Sequence, residues 1–399
     1  MAQLGHHSML RLALASYKSR TSAELPYIHL QRRLHNMSFS FIPPIYKFYP
    51  RLTTMSTSTP TNTAAWLVAE KARPLEAKSA PYTTPGEKEI VVKNGALGLN
   101  LVDWARQDFG NALFPWVTYP CVLGSDVAGE VVEIGSAVKD YNVGDRVLGM
   151  AIGLTSNRPA DGAFQAYTVL PSHMASKIPS SLTYESASAI PLAISTAACG
   201  LFQKEYLGLP LPTAPARSAS GETLLIWGGS SGVGSNAIQL AVAAGFEVVS
   251  TASPKNFEYV KKQGASRVFD YHSDSVVADI VAALRGKKSA GALAIGNGTI
   301  EPCIKIVQQV GGKQFVASAN PLPNEIPEGV GCKFIFGSDL KDNEVGPAIF
   351  VDYLPKALED GTFVASPPAE VAGEGLGSVQ GALDELKKGV SAKKLVVKL

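Results

Sequence analysis

The sequence predicts an α/β protein in which a β-rich domain is interrupted by a doubly wound parallel sheet. Three observations carry this. From residue 64 to about 191, short alternating runs are separated by Gly, Asp and Pro, the texture of a partly closed barrel or sandwich. From about 196 to 345, apolar runs alternate with stretches of helical period, as a parallel sheet covered on both faces requires. Within that second region, residues 224–239 read LLIWGGSSGVGSNAIQ. There an apolar run enters a cluster of glycines and serines, and apolar residues then resume at helical spacing.

The first 63 or so residues are rich in Ser, Thr, Pro, Arg and His. Up to residue 60 they hold seven Arg or Lys and one acid, Glu24, against a net charge of +2 for all 399 residues. The remainder is therefore mildly acidic, which gives no reason to expect a nucleic-acid partner. The segment is expected to be disordered, and it has two readings. In one it is an artefact of a mis-assigned start, with Met55 or Met37 opening the folded part. In the other it is an acid-poor mitochondrial transit peptide. A cytoplasmic location follows from the first and a mitochondrial one from the second. No apolar run approaches ~18 residues, so no membrane span is expected. The four cysteines, Cys121, Cys199, Cys303 and Cys332, lie far apart without a CxxC pair, as in a reduced intracellular protein.

In the β-rich part, EIVVK (89–93), GEVVEIG (129–135), VGDRVLG (143–149) and AFQAYTV (163–169) read as strands or turns feeding strands. A Pro/Ser/Ala-rich insert, 209–220, is expected as a surface loop. The glycine cluster follows, then strands FEVVST (246–251), RVFDY (267–271) and KQFVA (313–317). The tail from about Gly346 is expected to return to the first domain and close with a strand at 394–398. The expected domains are thus 64–195 with 346–399, and 196–345. A cleft between them is the natural place for a ligand.

A strand, a glycine turn and a helix N-terminus make an anion-binding device, because free N–H groups and the helix dipole both face the ligand. Gly229, Ser230, Ser231, Gly232, Val233 and Gly234 are expected to cradle a pyrophosphate. The spacing is GGxxGxG rather than GxGxxG, so context carries the reading. In units that bind NAD, an acid ends the second strand and takes the ribose 2′-hydroxyl. Here that strand runs into Ser253-Pro254-Lys255-Asn256, with no carboxylate. Ser253, Lys255 and Asn256 suit a 2′-phosphate, so the expected cofactor is NADP(H). The same residues also suit a helix start, with Ser253 as N-cap and Pro254 at N1.

Seven motifs stand in order along 64–399: NLVDW (100–104), GSDVAGEVVEIGSAV (124–138), VGDRVLG (143–149), GAFQAYTV (162–169), ASAIPLAISTA (187–197), GGSSGVG (228–234) and GVSAKKLVV (389–397). With them the chain resembles zinc-independent members of the medium-chain dehydrogenase/reductase superfamily. SPKN followed by VFDY is similar to fungal enoyl reductases, some of which act in trans with polyketide synthases; quinone oxidoreductases are the neighbouring branch. The resemblance implies a GroES-like catalytic domain and a Rossmann nucleotide-binding domain. It places Asn100 and Asp103 near the nicotinamide ribose and reaction centre, and Tyr271 at the adenosine end. Val390 and Ser391 fall on a C-terminal turn that returns to the cofactor, and Thr196 faces substrate. Asn100 and Thr196 are the candidate catalytic residues. Similar fungal reductases carry lysine where Ala105 stands, so that one cofactor contact is in doubt.

Zinc-dependent relatives have cysteine at the position of Asn100 and a His-Glu pair at Ser125-Asp126. Asn and Ser are poor zinc ligands, so no metal is expected. Without a Lewis acid, a conjugated enone, enoyl thioester or quinone is the favoured hydride acceptor, because conjugation spreads the developing charge. The implied activity is NADPH-dependent reduction of an activated C=C bond. Quinone reduction and NADPH binding without catalysis are the alternatives. The implied partners are a small-molecule substrate or a carrier-bound enoyl chain, and relatives include monomers and homodimers.

Overall fold

In the computed structural model, which describes residues 60–399, the first strands follow the alternating runs of the β-rich region. The N-terminal segment and its targeting and start-site readings lie, up to residue 59, outside the described residues. The chain runs through β1 (Asn62–Leu67), β2 (Glu76–Ala80), β3 (Glu89–Gly98), helix α1 (Leu101–Phe109), β4 (Cys121–Val122), β5 (Asp126–Ile134), β6 (Arg146–Met150), β7 (Tyr167–Pro171) and β8 (Ala175–Lys177). Helix α2 (Pro191–Phe202) leads to β9 (Glu222–Trp227), α3 (Gly232–Ala243), β10 (Glu247–Ala252), α4 (Phe257–Lys262) and β11 (Arg267–Asp270). Next come α5 (Val276–Leu284), β12 (Lys288–Ala294), α6 (Ile300–Gln309), β13 (Phe315–Ser318) and β14 (Gly331–Phe334). Helix α7 (Leu354–Glu359), β15 (Ala369–Glu374), α8 (Val379–Lys387) and β16 (Lys394–Lys398) complete the chain.

In the first domain the strands run β15-β16-β3-β5-β6-β8, with β7 also on β3, beside a small β2-β1-β4 sheet. Ile90, Val92 and Leu97 of β3 point into a core shared with Val127, Val131, Leu395 and Val397. Two register shifts between β3 and β5, at Val91/Val92 and Asn94/Ala96, let β3 bend. It therefore pairs with β7 at one end and β16 at the other. At that second end Gly98 is opposite both Asp126 and Val396. A Cβ on Gly98 would lie 2.2 Å from the Ser188 carbonyl oxygen and 2.9 Å from the Asp126 Cβ. Glycine is what lets three segments converge there.

The second domain is a parallel sheet in the order β11-β10-β9-β12-β13-β14. The order reverses between β9 and β12, the switch point at which ligands bind beyond the strand C-termini. The expected boundary at 195/196 falls inside α2. That helix is core to both domains: Ile194, Ala197, Ala198 and Leu201 share a cluster with Leu148 and Met150 of the first domain and Ile238 and Leu240 of α3. Residues 184–202 are long and apolar enough to cross a membrane, yet 78% of their most apolar 18-residue window is buried inside the protein. The expected insert at 209–220 runs as an irregular segment pinned by Arg217 N–H to the Ala243 carbonyl, 2.9 Å, and Ser220 N–H to the Gly245 carbonyl, 2.8 Å.

Candidate active site

Beyond β9 the backbone turns through Gly228 at φ +88°, a region that favours glycine. A Cβ there would meet the Ile295 carbonyl oxygen at 2.6 Å, so the turns after β9 and β12 approach closely. A Cβ on Gly234 would meet the Gly228 carbonyl oxygen at 2.2 Å. Gly232 differs, because its nearest neighbours would be Ala193 Cβ at 3.6 Å and Pro367 Cδ at 3.8 Å. Ser231 caps α3: its Oγ accepts the Gly234 N–H at 3.0 Å and donates to the Gly228 carbonyl at 2.8 Å. Ser230 and Val233 lie half-buried beside it. The other N–H groups of the first turn and the helix dipole lie where the sequence predicts an anion to bind. Thr251, at the end of β10, holds this turn from behind. Its Oγ1 accepts the Gly228 N–H at 3.1 Å and its carbonyl accepts the Gly229 N–H at 2.9 Å.

Further out, the hydroxyls of Ser253 and Tyr271 lie 3.2 Å apart. Lys255 is exposed on the short helical turn Pro254–Asn256. Ser253 stands at the N-cap of that turn with Pro254 behind it, but its side chain makes no cap bond. Asn256 is buried and donates through Nδ2 to Ser391 Oγ at 3.1 Å. That bond ties the turn after β10 to the C-terminal turn, where Val390 is exposed. Asn256 and Ser391, expected from sequence in distant segments, are thus in contact.

At the opposite end Asn100 precedes α1, and its N–H is accepted by Asp103 Oδ2 at 2.8 Å. Both polar atoms of the Asn100 side chain are engaged. Nδ2 donates to Asp126 Oδ2 at 2.9 Å, and Oδ1 accepts from Lys394 Nζ at 2.5 Å. Lys394 also pairs with Asp126 Oδ2 at 2.7 Å, and Asp126 Oδ1 accepts the Leu192 N–H at 2.6 Å. Asp126 is 0% and Lys394 7% exposed, so this ion pair is buried and joins the first domain to the start of α2. Burial pushes the Asp103 carboxyl up to about 7, against the opposing pull of the Asn100 N–H; Asp126 adds to the rise, while Lys394 and Arg106 oppose it.

Thr196 is half-buried on α2, packed against Gly337. Its Oγ1 donates to the Leu192 carbonyl at 2.9 Å. Trp116 and Phe336 bridge the two domains edge to face, centroids 6.2 Å apart, and Trp116 Nε1 donates to the Leu154 carbonyl at 3.0 Å. Sequence reasoning did not foresee the Asn100–Asp126–Lys394 network or the Trp116–Phe336 contact. The available signal was an acid inside GSDVAGEVV and a lysine opening the apolar strand KLVVK.

Comparison with known proteins gives two family matches. Residues 86–180 match the alcohol dehydrogenase GroES-like domain and residues 232–329 match the zinc-binding dehydrogenase family. The chain is 52% identical over 368 residues to Dehydrogenase pigH of Monascus ruber, covering 85% of this chain and 100% of that protein. It is 36% identical over 340 residues to trans-enoyl reductase himH of Aspergillus japonicus, covering 85% of this chain and 97% of the relative. Its fold is similar to that of a mycobacterial protein solved in complex with NADPH, with TM-score 0.63 and 21% identity over 85% of this chain and 100% of that one.

Proposed function

The chain belongs to the medium-chain dehydrogenase/reductase superfamily and is an oxidoreductase of that family, and from this premise we propose that it reduces an activated C=C bond with NADPH and without zinc. The acceptor is a conjugated enone or an enoyl thioester, free or carrier-bound. The observation that carries the reading is the buried Asn100–Asp126–Lys394 network. Zinc needs several Cys, His or carboxylate donors. Here Asp126 spends both oxygens on Leu192, Asn100 and Lys394, and an ammonium already stands against it. Among the described residues no three His, Cys, Asp or Glu side chains are grouped to share an ion. The residues present do not fit the metal that the family description names. Charge on the substrate must then be spread by the substrate's own conjugation and held by protein donors.

The residues do fit a dinucleotide. The turn from Gly228 to Gly234 and the α3 N-terminus hold a pyrophosphate, and Ser253, Tyr271 and Lys255 present hydroxyls and a cation where a 2′-phosphate would sit. When bound there, a reduced nicotinamide supplies hydride. The trans-enoyl reductase relative supports the enoyl acceptor. The test is a rate panel on protein purified without a metal-binding tag, with elemental analysis alongside. NADPH oxidation is expected with a conjugated enone and an enoyl thioester, none with NADP⁺ and ethanol, and no zinc. A quinone reduced much faster than any enone moves the assignment to quinone reduction. Alcohol oxidation with one zinc per chain overturns the reaction class.

A further inference from the structure

Arg106 lies on the buried face of α1, one turn after Asp103. It is 3% exposed, and its Nε and Nη2 have no hydrogen-bond partner among the described residues. A guanidinium stays charged in any protein environment and carries five donors. Leaving two of its nitrogens idle in the interior is unfavourable, and unpaired buried donors of this kind call for an explanation. With Val102, Asp103, Gly124, Ser125 and Leu154, Arg106 lines a cavity of about 10 Å³. That is room for one oxygen atom. Leu154 connects this cavity to the Trp116–Phe336 wall, which closes on Thr196 through Gly337.

The ionisable groups facing Arg106 do not neutralise it fully. The Cys121 thiol is hydrogen-bonded to Arg106 and is pushed up by burial against the pull of that guanidinium; burial also pushes the Tyr119 phenol up, and its hydroxyl is itself without a partner among the described residues. Asp103 bonds the Asn100 N–H instead. Thr196 already donates to Leu192.

We propose that Arg106 is the oxygen anchor of the acceptor, binding the carbonyl oxygen that is conjugated with the double bond. The proposal rests on the reading that the acceptor is conjugated. As hydride adds to the β-carbon, the π pair of the double bond moves between the α-carbon and the carbonyl carbon. The carbonyl π pair moves onto oxygen. Arg106 donates to that oxyanion and keeps its own protons. The α-carbon then takes a proton from water, the carbonyl re-forms, and the substrate has gained one hydride and one proton. Donors aimed at the oxyanion act on the transition state more than on the ground state.

The test uses Arg106→Met and Arg106→Lys. The Met variant is expected to fold, bind NADPH as the wild type does and melt at the same or a higher temperature, because an unpaired buried charge is gone. Its kcat/KM for an enone should fall roughly 100- to 1000-fold, with partial rescue by added guanidinium. The Lys variant should lose at least about tenfold, since one compact ammonium does not reproduce the planar fork. Binding without turnover gives a separate readout. Calorimetry should show the wild type preferring a saturated ketone to the hydrocarbon of equal length, and the Met variant showing no preference. If the wild type reduces no enone, the proposed function fails, while the ketone preference still reports on Arg106. A Met variant within threefold of wild-type kcat/KM, or a Met variant that fails to fold beside a fully active Lys variant, makes Arg106 a structural residue and overturns the proposal.

Discussion

The glycine turn proposed to hold a pyrophosphate is one short stretch, residues 228–234, braced by Thr251 of the neighbouring strand. The proposed acceptor end is assembled from Asn100, Asp126, the start of α2 and Lys394, with Asn100 and Lys394 separated by 294 positions in the chain. The first works through backbone N–H groups, close approach of main chain and a helix dipole. The second works through buried charge held in place by strand register. A device of the first kind tolerates few side chains but depends on little else. A device of the second kind depends on the whole first domain being in register.

The largest expected effect is at the acceptor end. Asp126→Ala leaves the Lys394 ammonium buried and unpaired, and should cost about 3–5 kcal/mol of stability. Urea unfolding checks this. An Asp126→Leu/Lys394→Met double variant should recover most of the loss, because it removes both charges together. Equal losses in the two variants would mean that register, not charge pairing, holds the segments.

The pyrophosphate end should respond to shape alone. In Gly234→Ala a Cβ would fall 2.2 Å from the Gly228 carbonyl oxygen, so the start of α3 must shift. NADPH affinity should drop roughly 100-fold, about 2.7 kcal/mol, by fluorescence titration. Gly232→Ala meets nothing closer than 3.6 Å, and its stability should stay within about 0.5 kcal/mol of wild type. Equal behaviour of the two variants contradicts the backbone-approach account.

Asp103 gives the α1 end a pH signature. Its carboxyl is pushed up to about 7, above its unfolded value, so the folded chain retains a proton that the unfolded chain has lost. Stability from this group is therefore full below about pH 4, is lost as pH rises toward 7, and is constant above that. Asp103→Asn should flatten the fall in stability between about pH 4 and pH 7. Parallel profiles for the variant and wild type would remove Asp103 as its source.

The smallest effect is at the exposed rim. Lys255→Ala should weaken NADPH about tenfold, about 1.4 kcal/mol, and leave NADH unchanged. Equal losses for both cofactors would show that Lys255 does not distinguish the 2′-phosphate.

The same contrast explains what was legible in the sequence. The glycine turn, the alternation of strands and helices in the second domain and the missing acid after β10 follow from local spacing and composition. The pairing of Asn256 with Ser391 was foreshadowed only through the motif order of the family. Lys394 was read as the first residue of a closing strand and Asp126 as an occupant of a metal-ligand position. Their pairing depends on the bend of β3 and on Gly98 facing both strands, which periodicity does not encode. Asn100 was expected to face the nicotinamide ribose, and the structure places its side chain between Asp126 and Lys394. Arg106 reads from sequence as an ordinary helix cation, and only its burial sets it apart.

The central claim is that hydride goes to carbon at the far end of a conjugated system, with the oxygen held by the protein. NADPH deuterated at the transferable position of C4, reacted with a conjugated enone in ordinary water, tests this directly by mass spectrometry and NMR of the product. The expected product is a saturated ketone with deuterium on the β-carbon and a solvent proton on the α-carbon. An allylic alcohol with deuterium on the carbonyl carbon would contradict the account.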